Sequence, residues 1–359
     1  MTRDAAKRRH GSEAGFTIAE LLIASLITLM VVGVAFTTFD NALALNEASL
    51  ELADANQNLR AGINQLVRDL LQAGRNVPIG GIAIPSGAGA VDIQRPSPPG
   101  LSYTFDNTTD TTLKTITTGA GLGPNIAGLA TDMITILMDD PYLGPLESVQ
   151  PSGTPGSDPE LAADGSYIDI GSQTAWLAGD ALNGIPPITP GDLLYFSTNG
   201  GTALQAVTSV TASRITFGAG DPFNLNQPGA AAGSITQILG APMTVRRVLM
   251  VTYYVYEDTP GVPRLFRVLN QFPPTALAGV VEDLDLTYDL VDGVNNPTEI
   301  EDLPYSAFGV TFTSSQIRKV NVHVGVRSER ASSRTGEYLR AHVSSVVSLR
   351  NLAYVDRYQ

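Results

Sequence analysis

The sequence contains no cysteine, so these 359 residues can form no disulfide, no thiolate metal site and no cysteine nucleophile. Proteins outside the cytoplasm can also lack cysteine, so this absence does not fix the compartment. Charged residues are sparse as well, at 16%, whereas 35 glycines and 23 prolines supply many turns. This composition fits a folded chain rich in β-strands and loops, and it does not indicate wholesale disorder.

Histidine is scarce, which restricts acid–base and nucleophilic chemistry. The sequence has His10, His323 and His342, and a Ser/His/Asp triad would have to use one of them. No G-x-S-x-G elbow, P-loop or G-x-G-x-x-G motif occurs. We therefore expect structural or exposed histidines, no catalytic residue, no cofactor and no enzymatic activity.

One group of carboxylates is dense enough to be weighed as a calcium site, because calcium takes six to eight oxygen ligands. The group consists of Asp283, Asp285, Asp289 and Asp292. It does not follow the EF-hand pattern, and its first two members fall within a predicted strand. The sequence therefore predicts a solvated strand edge or loop there, and no metal site.

Positive charge is also limited. Lysine and arginine number 22 against 35 acidic residues, and the net charge is −13. Residues 76–245 are the most acidic part, with three basic and fourteen acidic residues. Phosphate neutralisation needs clustered basic side chains, so nucleic acid is not an expected partner.

A long uncharged run lies near the N-terminus. Leu21 to Phe39 are nineteen residues without a charge, close to the ~20 apolar residues that cross a bilayer as a helix. We expect a transmembrane segment at 16–39. The segment before it carries four basic residues, which favour a cytoplasmic N-terminus and translocation of the rest of the chain: Arg3, Lys7, Arg8 and Arg9.

Glu20 begins this run and poses a physical problem. A carboxylate in hydrocarbon needs a partner or a proton, and residues 15–39 contain no lysine or arginine. The N-terminus of the helix favours negative charge. Cleavage after Gly15 would add an α-amine on Phe16, four residues away, and the same amine on a neighbouring subunit could serve equally.

Gly15, Phe16, Thr17 and Glu20, followed by the apolar run, resemble the class III leader of type IV pilins and type II secretion pseudopilins. The resemblance implies that residues 1–15 are a leader that a prepilin peptidase removes between Gly15 and Phe16. It also implies N-methylation of Phe16 and pairing of Glu20 with a neighbour's N-terminus during assembly. One alternative is an ordinary signal anchor in which Glu20 is incidental. Another is a secretory signal peptide, but it leaves Glu20 unexplained.

The apolar run is expected to continue as one helix from Phe16 to about Ala73, with Gly74 as its C-cap and Pro78 soon after. The second half is amphipathic, and polar residues including Arg68 and Asp69 fill the positions between apolar ones. We expect its apolar stripe to pack on a globular head: Leu43, Leu50, Leu59, Ile63, Leu66 and Leu70.

The rest of the chain predicts an α+β fold, with the long helix 16–75 packed on an antiparallel-sheet head, 76–359, that carries a small inserted β module at 140–245. The turn Asn199-Gly200-Gly201 indicates a hairpin in that module. Val320, Val322, Val324 and Val326 should face inward, with Asn321, His323 and Arg327 outward. The predicted strands are Leu101–Phe105, Leu113–Thr117, Thr131–Met138, Asp192–Phe196, Ala203–Thr208, Ser213–Phe217, Val245–Tyr256, Leu265–Leu269, Val280–Tyr288, Ile317–Val326 and Ala341–Leu349.

Several further segments resemble PilW-type minor pilins and the related J-type pseudopilin: LVRDLLQAGR, TDMITIL, LAGVVEDLDLTYD, VDGVNNP, QIRKVNVHVGVRSER and VSLRNL. The resemblance implies a non-catalytic minor pilin that primes or supports type IV pilus assembly, at the filament tip. The implied partners are major and minor pilins, the prepilin peptidase, an assembly ATPase and the inner-membrane assembly platform. The protein would be a single-pass inner-membrane protein with a periplasmic head before assembly, and part of the pilus at the cell surface afterwards.

Three alternatives remain open at this point. The chain could be a J-type minor pseudopilin of a type II secretion system, which shares the leader and the tail segments. The predicted insert, 140–245, could make the filament tip an adhesin, which is a binding module. An anchored enzyme would have to use His323 or His342, and no recognisable nucleophile accompanies either.

Overall fold

The computed structural model describes residues 15–126, 128–152, 159–329, 331 and 336–352. A long N-terminal helix precedes a sheet-dominated body, which confirms the α+β class. The predicted leader up to residue 14, with its basic side chains and His10, lies outside the described residues. The domain limits 1–15, 16–75 and 76–359 stay a prediction.

Helix α1 runs from Ile18 to Gln72, so one helix covers both the apolar and the amphipathic segments as predicted. Its 55 residues span about 80 Å at 1.5 Å per residue. The end of α1 buries four apolar side chains in the core of the body: Leu59, Ile63, Leu66 and Leu70. Leu43 and Leu50 were predicted to join them but are exposed, because the body packs only on the last turns of the helix.

The chain reverses immediately after α1, close to where Gly74 was predicted to cap it. Ala73 is the C-cap, and Gly74 follows with φ at +75°, in the left-handed region. The Gly74 N–H donates to the Leu137 carbonyl at 3.0 Å, which ties the turn to the sheet. A Cβ at Gly74 would lie 2.9 Å from Cδ2 of Leu352. The turn therefore requires glycine for both its conformation and its space.

The body is built from short and long strands that follow α1 in chain order, with one short helix, α2 (Thr174–Ala178), among them. The strands are β1 (Ile82–Ala83), β2 (Ile93–Arg95), β3 (Tyr103–Phe105), β4 (Thr112–Leu113), β5 (Ile116–Thr117), β6 (Asn125–Ile126), β7 (Leu129–Ala130), β8 (Ile134–Asp139), β9 (Leu146–Pro151), β10 (Glu160–Leu161), β11 (Tyr167–Asp169), β12 (Leu193–Thr198), β13 (Gly201–Ala206), β14 (Ser209–Val210), β15 (Arg214–Thr216), β16 (Met243–Thr259), β17 (Val262–Leu269), β18 (Thr275–Ala278), β19 (Val281–Leu290), β20 (Tyr305–Ala307), β21 (Val310–Phe312), β22 (Ile317–Arg327) and β23 (Arg340–Ser348). Three-residue 3₁₀ turns lie at Ala181–Asn183, Ile235–Gln237 and Ser314–Gln316.

Strand β16 organises the larger sheet. It pairs antiparallel with β12 and β17 along one edge, and with β9 and β8 along the other. Its length allows it to serve two neighbours on each side, so it joins the predicted insert to the rest of the body. Strands β13, β18 and β5 extend this sheet, and β10, β11, β15 and β14 continue it from β9.

Most predicted strands overlap an observed one, with ends shifted by one to three residues. The predicted hairpin turn at Asn199-Gly200 is confirmed, since it joins β12 to β13. The predicted strand Leu113–Thr117 is wrong as a single element. It is divided into β4 and β5 because β4 pairs with β1 while β5 pairs with β8, so the chain crosses between two sheets at Lys114.

The predicted insert, 140–245, contributes a second hydrophobic core that includes Leu146, Phe196, Ile215 and Val245. Its hairpin β12–β13 is hydrogen-bonded to β16, so this segment and the rest of the body share one sheet. The limits of the insert as a separate unit stay a prediction.

The smaller sheet has the order β19-β22-β23 and packs on the end of α1. The four valines of β22 are buried in its inner face as predicted: Val320, Val322, Val324 and Val326. A β-bulge at Glu282 interrupts the alternation of β19. Arg327 is on the outer face but is buried, because its guanidinium lies 3.7 Å from the Tyr338 ring centroid and its Nε is 2.8 Å from Oε1 of Glu282.

Candidate functional site

The predicted site residues lie together at the start of α1. Gly15 and Phe16 precede the helix, and Phe16 is 84% exposed. Glu20 follows in the first helical turn and is also exposed. The peptide bond between Gly15 and Phe16 therefore lies outside the helix, between two exposed residues.

Thr17 is the N-cap of α1 and forms a capping box with Glu20. The Thr17 hydroxyl accepts the Glu20 N–H at 3.2 Å, and Oε2 of Glu20 accepts the Thr17 N–H at 3.0 Å and its hydroxyl at 2.9 Å. Such a box satisfies N–H groups that have no partner inside the helix. The spacing Thr-x-x-Glu before an apolar run is the sequence signal for this contact, which adds a structural role for Thr17 to its place in the leader motif.

The capping box gives Glu20 partners within its own chain. Its carboxylate is fixed at the positive end of the helix dipole, where negative charge is favourable. The contacts with Thr17 use one carboxylate oxygen, Oε2, so the other, Oε1, is left for a further hydrogen-bond donor. A cationic group from another chain could therefore approach Glu20 without breaking the box.

The segment that follows is apolar and fully accessible. Ile18–Leu50 is long and apolar enough to cross a membrane, none of its most apolar window is buried against the body, and it is the one such helix among the described residues. Its largest exposed side chains include Leu29, Val34, Phe36 and Phe39. So large an apolar surface needs lipid or other helices as its surroundings.

At the other end of α1, a buried polar cluster joins the helix to the body. Asp69 is 4% exposed, and its Oδ2 accepts the Tyr253 hydroxyl at 2.6 Å and Nε of Arg267 at 2.8 Å. Oδ1 accepts the side-chain amide of Gln65 at 3.2 Å. The sequence pattern placed Asp69 on the polar surface of the helix, and the structure corrects this.

Burial and the negative charge of Asp69 determine the pKa values of the two side chains that donate to it. Burial, reinforced by the negative charge of Asp69, raises the pKa of the Tyr253 phenol. Burial alone would lower the pKa of Arg267, but the hydrogen bond to Asp69 and its charge outweigh burial and raise it. Tyr253 therefore stays neutral and Arg267 stays charged, so both keep donating to Asp69.

The histidines of the smaller sheet lie in cross-strand rows on its outer face. Asp285, His323 and Ser344 are register neighbours, and Nδ1 of His323 lies 2.8 Å from Oγ of Ser344. In the next row Asp283 and His342 flank Gly325, where a Cβ would lie 2.9 Å from the Asp283 Cβ. Burial, followed by repulsion from Asp285, raises the pKa of Asp283.

The structure does not bring the four predicted carboxylates into one site. Asp289 is 3.6 Å from Nζ of Lys319, and Asp292 accepts the N–H groups of Val294 and Asn295 in a turn. Among the described residues, no three histidine, aspartate or glutamate side chains are arranged to hold a metal ion.

Comparisons of the chain with family models, curated proteins and solved structures return no match.

Proposed function

We propose that this chain is a type IV pilin-like subunit, most similar to a PilW-type minor pilin, that is anchored in the inner membrane by α1 and then enters a filament. One observation carries the proposal. A single continuous helix begins with Glu20 in its first turn, directly after the Gly15–Phe16 junction, and exposes a membrane-length apolar surface before its end packs on the body.

The proposed mechanism is non-catalytic. Removal of residues 1–15 by a prepilin peptidase leaves a methylated Phe16 at the N-terminus, and the apolar half of α1 packs beside the helices of other pilins. The amine of a neighbour's Phe16 pairs with Glu20 and sets the axial register. Packing of many apolar side chains holds the subunits together.

The arrangement of the body supports a minor rather than a central position in the filament. The body is large, because β16 carries the residue 140–245 segment on the same sheet as the strands that pack on α1. A subunit with so large a body is accommodated most easily at the tip, where no further subunit stacks above it. The assembly platform, its ATPase and the other pilins are the partners of this proposal.

The first test is the N-terminal mass of the protein isolated from membranes, with and without the prepilin peptidase. We expect a chain that starts at methylated Phe16 in the presence of the peptidase and an intact leader in its absence. A chain that keeps residues 1–15 in both strains would contradict the proposal. Co-purification with pilus or with type II secretion components then separates the minor pilin from the J-type pseudopilin.

The second test isolates the charge of Glu20. Glutamine at the third helical position can keep the capping box with Thr17, so Glu20→Gln removes charge and preserves the helix start. We expect normal cleavage and a loss of filament incorporation. Glu47→Gln, an exposed acid on the same helix, is the matched control and should assemble normally. Normal assembly of Glu20→Gln would contradict the pairing mechanism.

A further inference from the structure

A cleft of about 450 Å³ lies on the body, and none of its lining residues belongs to α1 or to the strands of the smaller sheet. Its volume falls within the ~300–1,000 Å³ that ligand sites usually have. One wall is the segment from Phe105 to Thr118, and the other is the connection between β19 and β22, at Asp302–Pro304 and Thr313–Ser314. Among the apolar lining residues, Phe105, Leu113 and Ile116 are buried, whereas Leu303 is half-buried and Pro304 is exposed.

The polar lining of the cleft is rich in hydroxyls and carboxylates. It has three carboxylates, Asp106, Asp110 and Asp302, and one cation, Lys114. Lys114 is already engaged, since its Nζ lies 3.1 Å from Oδ1 of Asp110 and 2.9 Å from the Thr112 hydroxyl. The cleft therefore has a net negative charge. Six of its lining residues carry hydroxyls: Thr109, Thr112, Thr117, Thr118, Thr313 and Ser314.

Ser314 is the most informative of these residues. It is 6% exposed and lines the cleft, and its hydroxyl makes no hydrogen bond to any described residue. Its Oγ keeps some contact with water, so it can be reached from the cleft, and a ligand that hydrogen-bonds to it takes the place of that water. Thr118, also buried, donates to Asp302 and accepts the Leu303 N–H at 3.2 Å. These contacts fix the Asp302 carboxylate at the edge of the cleft.

We propose that this cleft binds a saccharide unit that carries no negative charge. A sugar ring offers hydroxyls that donate to carboxylates and exchange hydrogen bonds with serine and threonine, and it has apolar C–H faces that can pack on Leu303 and Pro304. The net negative charge disfavours phosphate and carboxylate ligands. Among the described residues, no three carboxylates or histidines are arranged to hold a metal ion. The carboxylates of the cleft are therefore better suited to accept hydrogen bonds from separate sugar hydroxyls than to bind a metal ion.

Full-length protein in a detergent without a sugar headgroup allows a direct test by ligand-observed NMR and titration. The probes are glucose, galactose, N-acetylglucosamine, glucosamine and glucuronate. We expect binding of at least one neutral sugar at millimolar concentration, tighter binding of glucosamine than of glucose, and at least tenfold weaker binding of glucuronate. Absence of binding by every neutral and amino sugar, or equal binding of glucuronate, would overturn the proposal.

Two variants locate the binding in this cleft. Ser314→Ala removes a hydroxyl without a described partner, so the unfolding transition should not change, while the Kd of the bound sugar should rise about fivefold. Asp302→Asn should weaken glucosamine more than glucose, because it removes charge. Asp164→Asn changes an exposed aspartate that accepts hydrogen bonds from Ser166 outside the cleft, and it should bind like the unaltered protein. Binding that neither Ser314→Ala nor Asp302→Asn alters would overturn the assignment. The outcome is independent of the proposed assembly role.

Discussion

The contact between Asp69 and the body makes a strong prediction, because it joins α1 to two strands far away in the sequence. In Asp69→Ala, the fully buried Tyr253 hydroxyl and the largely buried Arg267 guanidinium lose their acceptor. An unsatisfied buried donor costs about 1–3 kcal/mol, and breaking a buried ion pair from one side costs about 3–5 kcal/mol. Since the Arg267 side chain is 20% exposed and can reach water, we expect a total near the lower end, about 3 kcal/mol.

Two further variants separate the parts of this loss. Tyr253→Phe removes one donor but leaves Asp69 paired with Arg267, so we expect a cost of about 1 kcal/mol. Arg68→Ala changes the exposed neighbour of Asp69 on the same helix and should stay within about 0.5 kcal/mol of the unaltered protein. Urea unfolding of the full-length protein, followed by circular dichroism, measures the free energy of unfolding of all three.

Hydrogen exchange adds the location of the effect. In Asp69→Ala the amides of the last turns of α1, from Leu59 to Gln72, should lose protection, whereas those of the β12–β13 hairpin should not. A loss below about 0.5 kcal/mol in Asp69→Ala would refute the reasoning, because it would show that burial of the apolar side chains alone fixes the helix on the body.

The remaining predictions concern the body. Gly74→Ala should cost about 1–2 kcal/mol of unfolding free energy for its left-handed conformation, and more because its Cβ meets Leu352. Gly100 also has a left-handed conformation, with φ at +84°, but has open space around it. Gly100→Ala should therefore show the conformational cost alone in the same urea assay. Asp140→Ala should cost about 3 kcal/mol, the lower end for a buried ion pair, since Arg247 is 2% exposed and loses its closest carboxylate but keeps Asp192 at 3.9 Å. Asp169→Ala, from the exposed pair with Arg214, should cost less than about 1 kcal/mol. Burial raises the pKa of Asp132 above its ordinary value of 3.8, so the folded protein holds the Asp132 proton more tightly than the unfolded chain does. The protonated carboxyl therefore stabilises the fold at low pH, and this contribution is lost as the pH rises from 3.8 through the raised pKa. Asp132→Asn removes this contribution, so the slope of the unfolding free energy against pH should become less negative just above pH 3.8. The same slope in the variant and in the unaltered protein would contradict this.

The sequence predicts α1 well, because helical spacing and the absence of proline from residues 16–72 are local properties. It does not predict where along the helix burial begins. Leu50 and Leu59 are the same residue type in the same stripe, yet one is exposed and the other is buried. The difference depends on how far the body reaches along the helix, which is set by strands much later in the chain.

The sites also divide into features that a local sequence pattern predicts and features that depend on long-range packing. Gly15, Phe16 and Glu20 form a local pattern, and the Thr17 capping box could have been predicted from its spacing. The role of Asp69 could not, since its partners Tyr253 and Arg267 come from β16 and β17 and their approach depends on the packing of the whole sheet. The cleft beside Ser314 is unpredictable for the same reason, because its walls come from widely separated segments.

Asp69 also has a geometric consequence for the proposed assembly. Hydrophobic burial is not directional, so the leucine stripe alone tolerates small rotations of α1 on the body. Hydrogen bonds are directional, and a shift of one residue would turn the Asp69 carboxylate by about 100° and move it about 1.5 Å along the axis, away from both donors. Asp69 therefore fixes the rotation of α1 relative to the body. Because Glu20 is on the same continuous helix, this contact would also fix the direction in which the body points in the proposed assembly, where Glu20 pairs with a neighbour.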